Sequence, residues 1–120
     1  MANAKQIEFK KRLYRFVIRL IKFIENLKKA QTSRIISDQL LRSGTGILGT
    51  YIEGLSSSSK REYTNYFNYS LKSANESKAW VSILKDTGNG DRKEADWILK
   101  ELEEYSKIFA SSILTLKGKK

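Results

Sequence analysis

The 120-residue chain contains no proline, and apolar residues recur along it at steps of three and four residues. Because proline is the residue that most strongly breaks a helix, nothing in this sequence interrupts long amphipathic helices. We predict four helices, close to residues 5–29, 33–54, 59–86 and 91–117. Short connections between helices of this length favour an all-α fold, an antiparallel up-down-up-down four-helix bundle that uses residues 1–120 as a single domain.

Polar motifs mark the expected helix ends. Ser33 is the predicted N-cap of the second helix, and Ser59 with Glu62 forms the pattern of a capping box at the start of the third. Gly88 is expected to end the third helix in the left-handed conformation. Asp91 places negative charge at the start of the fourth helix, where the helix dipole favours it.

Residue types that carry most enzyme chemistry are missing. The chain has no cysteine and no histidine, which removes disulfides, thiol nucleophiles, the commonest general base and the commonest metal ligand. We therefore expect no catalytic residue, no metal site and no cofactor. An enzyme stays open as a minor alternative, with Glu53 and Glu76 as the carboxylates to test by loss of divalent-dependent nuclease activity in Glu53→Gln.

The sequence also shows no signal-peptide core and no apolar stretch of membrane-spanning length. We expect a cytoplasmic protein with no membrane partner. The first helix is basic and amphipathic, so a membrane-surface helix is a further alternative, but the bundle needs its apolar stripe. Failure to sediment with anionic vesicles would remove that alternative.

A glycine cluster lies within the predicted second helix. Gly44–Gly49 matches G-x-G-x-x-G, but it continues a helical pattern and follows no strand, so it is not a dinucleotide-binding loop. Glycine inside a helix costs about 1 kcal/mol relative to alanine. We therefore expect another backbone to approach closely here, or the helix to kink. Arg42 and Glu53 share a face but stand about 16 Å apart, so each needs a partner on another helix or subunit.

Positive charge is concentrated on the predicted first helix. Lysine and arginine total 23 against 13 acidic residues, a formal net charge of +10. At 100° per residue, six cations fall within about 120° of arc, away from the apolar stripe. We call this set the basic ridge: Lys5, Arg12, Arg15, Arg19, Lys22 and Lys29.

The basic ridge suits a phosphate backbone, and binding through it would be strongly salt-dependent. Phe23 is the only aromatic residue near its edge, so we expect contacts to phosphates and shape, with weak sequence specificity. The first half of the predicted fourth helix is acidic. A neighbouring subunit's fourth helix is therefore an alternative partner for the ridge.

The third and fourth helices carry apolar residues outside their main stripes. Aromatic side chains are enriched in the cores of protein interfaces, so we predict that these residues contact another protomer. A wide core face with some exposed aromatics is the alternative. The predicted interface residues are Tyr66, Tyr69, Trp80, Trp97 and Ile108.

These segments together resemble a known family signature. The second helix contributes Gln39–Thr45, Ile47, Tyr51, Glu53 and Gly54. The downstream part contributes Ser58, Lys60, Tyr63, Phe67, Ser70, Leu71, Ala74, Glu76, Trp80, Leu84 and Gly88. The pattern resembles the bacterial four-helix-bundle proteins encoded in intervening sequences of 23S ribosomal RNA genes, across roughly Phe9 to Leu116. The chain departs from that pattern at Gly46 and Thr50, where the family often has serine and asparagine.

The resemblance implies a homopentameric bundle with a positively charged surface and a role in RNA or ribosome association. A related group serves as accessory subunits of reverse transcriptases in diversity-generating retroelements, which is the alternative function. The family has no catalytic residues to carry over. Its motif is expected to be structural and comprises Arg42, Ser43, Gly44, Thr45, Glu53 and Gly54.

Overall fold

The computed structural model describes residues 2–118, which form four α-helices joined by short connections. The helices are α1 (Ala4–Glu25), α2 (Gln31–Leu55), α3 (Lys60–Asp86) and α4 (Arg92–Leu116). The all-α fold class is confirmed, and the molecule measures 44 × 24 × 22 Å. None of these helices is long and apolar enough to cross a membrane.

The helices alternate in direction around a square. Each packs against its neighbour in the chain, and α1 closes the square against α4. Arg12 of α1 pairs with Glu101 of α4, while Arg19, one heptad further along α1, pairs with Glu94, one heptad earlier in α4. This reversed register shows that α1 and α4 are antiparallel. The α2 and α3 backbones approach each other most closely, and those of α1 and α4 least.

Helix α1 ends at Glu25, so the prediction that it continues to Lys29 is wrong. Asn26 is the C-cap, and its side-chain amide donates a hydrogen bond to the Lys22 carbonyl at 2.9 Å. The next residue, Leu27, is buried beside Gly90, where a β-carbon would lie 2.7 Å from the leucine side chain. Burial of Leu27 turns the chain into the bundle, which stops the helix and leaves Lys29 in the connection.

Helix α2 begins earlier than predicted, because its N-cap is Ala30 and Ser33 is the third helical residue. Ser33 is buried, and its hydroxyl accepts a hydrogen bond from the Ala30 N–H at 3.2 Å. The serine thus satisfies the helix end from inside the first turn rather than from the cap position. Ser59 and Asp91 are N-caps, and Gly88 has a φ of +74°, as predicted. The predicted capping box at Ser59 forms only in part: the Ser59 hydroxyl accepts a hydrogen bond from the Glu62 N–H at 3.1 Å, but the Glu62 carboxylate accepts one from the Ser58 hydroxyl instead.

The core is aromatic where α1 begins. Phe9 contacts three rings edge-on, with centroid distances of 5.2 Å to Tyr51, 5.8 Å to Tyr105 and 5.7 Å to Phe109. Phe67 of α3 completes the cluster at 5.7 Å from Phe109. Edge-to-face contacts of this kind add to the stabilisation from burial. They join all four helices at this end of the bundle.

Small side chains let α2 and α3 pack closely. Ser43 and Ser77 are buried, and their hydroxyl oxygens lie 2.7 Å apart across the helix pair. Two turns further along α2, Thr50 and Ser70 form a second hydroxyl pair at 2.6 Å. Each hydroxyl therefore has a partner in the seam, so burial leaves none of these groups unsatisfied.

The glycines of α2 meet side chains of neighbouring helices, not the closely approaching backbone that the sequence predicts, and they do so unequally. A β-carbon at Gly44 would lie 2.2 Å from the buried Leu20 side chain of α1. At Gly46 it would lie 3.4 Å from the Ser73 hydroxyl, a tight contact across the α2–α3 seam. At Gly49 it would meet nothing within 4 Å, and nothing in the structure explains this glycine.

Candidate interaction surfaces

The seam between α1 and α4 is bridged by two arginines. Arg12 makes a two-pronged contact with Glu101, with Nη2 2.7 Å from Oε1 and Nε 3.1 Å from Oε2. The Tyr105 hydroxyl donates to the same carboxylate, and the Arg12 guanidinium lies 5.2 Å from the Tyr105 ring centre. A second carboxylate, that of Glu104, lies 3.4 Å from Arg12. The Glu101 side chain is only 13% exposed, so this pair is shielded from solvent.

Arg19 repeats the arrangement two turns further along α1. Its guanidinium nitrogens Nε and Nη2 each lie 2.8 Å from a Glu94 oxygen. The same guanidinium lies 3.6 Å from the centre of the Trp97 ring, in a cation–π contact. Trp97 in turn packs nearly parallel to the buried Phe16, with centroids 6.4 Å apart. Both arginines therefore hold α4 against α1 inside one chain.

These contacts divide the basic ridge. Arg12 and Arg19 pair with α4 of their own chain, whereas the alternative partner suggested by the sequence is the acidic first half of α4 in a neighbouring subunit. Lys29 lies beyond the end of α1. Lys5, Arg15 and Lys22 remain exposed on the helix.

Phe23, which the sequence places at the edge of the ridge, is buried. A β-carbon on Gly90 would lie 2.8 Å from its ring, so Phe23 belongs to the core and cannot contact a ligand. The exposed aromatic residue of α1 is instead Tyr14. The sequence pattern assigns Tyr14 to no surface, because this residue lies between the apolar stripe and the cations.

The ion pairs shift the pKa values of their carboxylates. Burial alone raises the pKa of Glu101, but hydrogen bonds from Arg12 and Tyr105 outweigh it and hold the pKa below its ordinary value. The hydrogen bond from Arg19 likewise lowers the pKa of Glu94. On the other side of the pair, the hydrogen bond to Glu101 raises the pKa of Arg12. Both pairs are therefore fully charged at neutral pH.

The motif residue Arg42 finds its partner on α3, as the sequence predicts. It forms an ion pair with Glu76, and its Nη2 also donates to Gln39 Oε1 at 2.9 Å. The indole Nε1 of Trp80 donates to the same Glu76 carboxylate at 2.9 Å. Glu76, one of the two carboxylates considered for catalysis, thus binds two donors and locks α2 to α3.

The second such carboxylate, Glu53, lies beside Tyr66 of α3. Its negative charge raises the pKa of the Tyr66 hydroxyl. The Tyr66 ring contacts Tyr69 edge-on at 6.2 Å, and Tyr69 is 52% exposed. Glu53 and Tyr69 therefore belong to one exposed α2–α3 face.

The remaining motif residues pack the helices. Ser43 joins the buried hydroxyl seam, and Gly44 accommodates Leu20. Thr45 donates its hydroxyl to the Leu41 carbonyl at 2.6 Å. A β-carbon at Gly54 would lie 3.1 Å from Tyr66, so this glycine too allows close approach of α3.

The predicted interface residues fall on two sides of the bundle. Tyr66, Tyr69 and Trp80 lie on the α2–α3 face, which we define as the tyrosine face. Trp97 lies on the α1–α4 side, in contact with Phe16 and Arg19. Ile108 is half-buried on α4. The structure therefore does not gather the predicted interface into one patch.

Comparison with known proteins decides the family. Residues 5–111 match the family model described as 23S rRNA-intervening sequence protein. The chain belongs to this family. A search of curated proteins gave no significant match.

Among solved structures, the chain is similar to a protein from Bacteroides thetaiotaomicron described as being of unknown function and from the S23 ribosomal protein family. The two share 30% sequence identity with a TM-score of 0.80, over 87% of this chain and 96% of that one. The resemblance seen in the sequence is thus confirmed, and the intervening-sequence fold extends across nearly the whole bundle.

The lowered carboxylate pKa values predict how stability depends on pH. As pH falls, the unfolded chain, in which a glutamate has a pKa of about 4.3, takes up protons before the folded chain does. The stabilisation is therefore complete above about pH 5 and is lost as pH falls through the folded pKa values. Glu101→Gln should lower the free energy of unfolding at neutral pH by about 1–2 kcal/mol and flatten its decline with acid.

Urea unfolding measured at several pH values checks this prediction. Glu25→Gln is the matched control, since Glu25 is exposed and has no ion pair within residues 2–118. For Glu25→Gln, the plot of the free energy of unfolding against pH should run parallel to that of the wild type. A parallel plot for Glu101→Gln would contradict the conclusion that the ion pair of Glu101 with Arg12 stabilises the folded chain.

Proposed function

We propose that this intervening-sequence protein is a cytoplasmic, non-catalytic homo-oligomer that binds RNA through exposed cations of α1. The charge distribution that remains after the internal ion pairs carries the proposal. Seven of the thirteen acidic side chains lie in ion pairs with six basic ones. Outside these pairs, residues 2–118 hold fifteen exposed basic side chains and six exposed acidic ones, so the surface that remains is positive. The family's association with 23S rRNA genes points to RNA as the anion.

The binding surface is narrower than the basic ridge. Lys5, Arg15 and Lys22 are exposed, and the latter two stand two helical turns apart, about 10 Å along α1. Lys29 extends the surface into the connection after α1. Arg12 and Arg19 help to hold the bundle together and contribute little to this surface. Contacts through these cations would be to phosphates, so binding would be strongly salt-dependent and weakly sequence-specific.

Two separate contact patches support self-association. A closed ring is built from head-to-tail interfaces, in which each subunit uses two different patches. The tyrosine face on α2–α3 and the side of α4 that bears Trp97 lie on different sides of the bundle. The pentamer itself comes from the family resemblance. A ring would repeat the α1 cations and raise avidity for RNA without new contacts.

A second candidate function is that of an accessory subunit for a reverse transcriptase in a diversity-generating retroelement. The exposed ring of Tyr69 beside Tyr66 favours it, because aromatic side chains are enriched where proteins bind one another. In that case the tyrosine face would bind the enzyme, and the purified bundle alone would hold RNA weakly. A reverse transcriptase gene beside this one would support this function.

The salt dependence of RNA binding tests the leading proposal. The triple variant that combines Lys5→Gln, Arg15→Gln and Lys22→Gln should bind a structured RNA more weakly. The slope of log affinity against log salt concentration should become less steep by about 2 units. Fluorescence anisotropy titrations between about 50 and 200 mM salt measure this slope. The control combines Lys93→Gln, Lys100→Gln and Lys107→Gln, which removes equal charge from the exposed side of α4. Equal losses in both variants, or no wild-type binding, would contradict the proposal.

Light scattering tests the oligomer. We expect a mass of several subunits at concentrations on the order of tens of micromolar, and a smaller mass for Tyr69→Arg, because a charge in an aromatic contact is poorly solvated. Lys93→Gln, on the outer face of α4, should leave the mass unchanged. A wild-type monomer would overturn the homo-oligomer. An oligomer unaffected by Tyr69→Arg would remove the tyrosine face from its interface.

A further inference from the structure

A groove of about 320 Å³ runs between α1 and α2, apart from every ion pair of the α1–α4 seam. Its floor is apolar and its rim is positive. It is lined by Lys10, Lys11, Tyr14, Arg15, Leu48 and Ile52. Tyr14 is 59% exposed and Ile52 is 41% exposed, so the groove presents an aromatic ring and an aliphatic surface directly to solvent.

The positive rim is almost uncompensated. Within residues 2–118, neither Lys10 nor Arg15 forms an ion pair, and Lys11 reaches only the exposed Glu8, at 4.0 Å. An exposed pair at that distance contributes little. Charge complementarity therefore requires an anionic occupant that also offers a flat apolar surface to Tyr14.

A second copy of the chain fits this requirement poorly. Its main acidic stripe is the first half of α4, and the carboxylates there are already paired with cations of α1 and α3 in their own chain. These carboxylates are Glu94, Asp96, Glu101, Glu103 and Glu104. A neighbouring subunit would have to break those pairs to bring this acidic stripe to the groove.

Resting on the RNA-binding function proposed above, we propose that this groove binds an unpaired nucleotide of a single-stranded RNA. The Tyr14 ring stacks on the base, Leu48 and Ile52 form the apolar floor, and the cations hold the flanking phosphates. A duplex cannot enter in this way, because its bases are already stacked and paired. The groove shares Arg15 with the exposed surface of α1, so a strand lying along those cations reaches it directly.

The test compares a fluorescein-labelled single-stranded uridine 12-mer with a 12-base-pair RNA duplex in anisotropy titrations. Tyr14→Ala should weaken binding of the single strand roughly tenfold or more, leaving duplex affinity and the salt slope unchanged, because a stacking surface but no charge is lost. Tyr14→Phe should keep the single-strand affinity, since the ring remains. Leu114→Ala is the control, an exposed apolar side chain on α4 outside both the groove and the tyrosine face.

Three outcomes would overturn the inference. If Tyr14→Ala binds the single strand as tightly as Leu114→Ala does, the groove is not the nucleotide site, although RNA binding itself stands. If neither RNA binds the wild type, the proposed function fails and the inference fails with it. If Tyr14→Ala instead lowers the mass seen by light scattering, the groove is covered by a second copy.

Discussion

The bundle depends on how α1 is held against α4. These are the neighbouring helices whose backbones approach least closely, and long side chains fill the space between them. Arg12 and Arg19 bridge it with paired hydrogen bonds to Glu101 and Glu94, and each guanidinium also lies over an aromatic ring of α4. Glu101 is the more shielded of the two carboxylates, so breaking its pair with Arg12 would leave a charge poorly compensated and disfavour other arrangements of α1 and α4. They also decide which cations are left for a ligand.

The opposite seam is built on a different principle and gives the molecule two distinct surfaces. Between α2 and α3, hydroxyl pairs such as Ser43 with Ser77 replace long side chains, so the helices lie close together. The charges beside this seam, Arg42 and Glu76, neutralise each other. The tyrosine face is aromatic, as suits a protein contact, while the α1–α2 side keeps unpaired cations, as suits an anion.

Sequence patterns predicted the helices and most of their ends, because periodicity and capping are local properties. They misplaced the end of α1 and the start of α2, because burial of Leu27 and Ser33 depends on neighbouring helices. The division of the basic ridge was partly readable, since Arg12 and Arg19 share a seven-residue spacing with Glu94 and Glu101. A residue flanking the core can face solvent or a neighbouring helix, however, and helical position alone does not distinguish these. Tyr14 was missed for the same reason.

We propose that the cations of α1 divide into a structural pair, Arg12 and Arg19, and an RNA-binding set, Lys5, Arg15 and Lys22. The most direct measurement is the salt dependence of RNA affinity for Arg12→Gln combined with Arg19→Gln, together with urea unfolding of the same variant. We expect this double variant to have a lower free energy of unfolding than the wild type. Under conditions where both proteins are folded, the salt slope of RNA affinity should be the same for both. A salt slope that is less steep by about 1 to 2 units, with the free energy of unfolding unchanged, would contradict this division, because both arginines would then be neutralising phosphates.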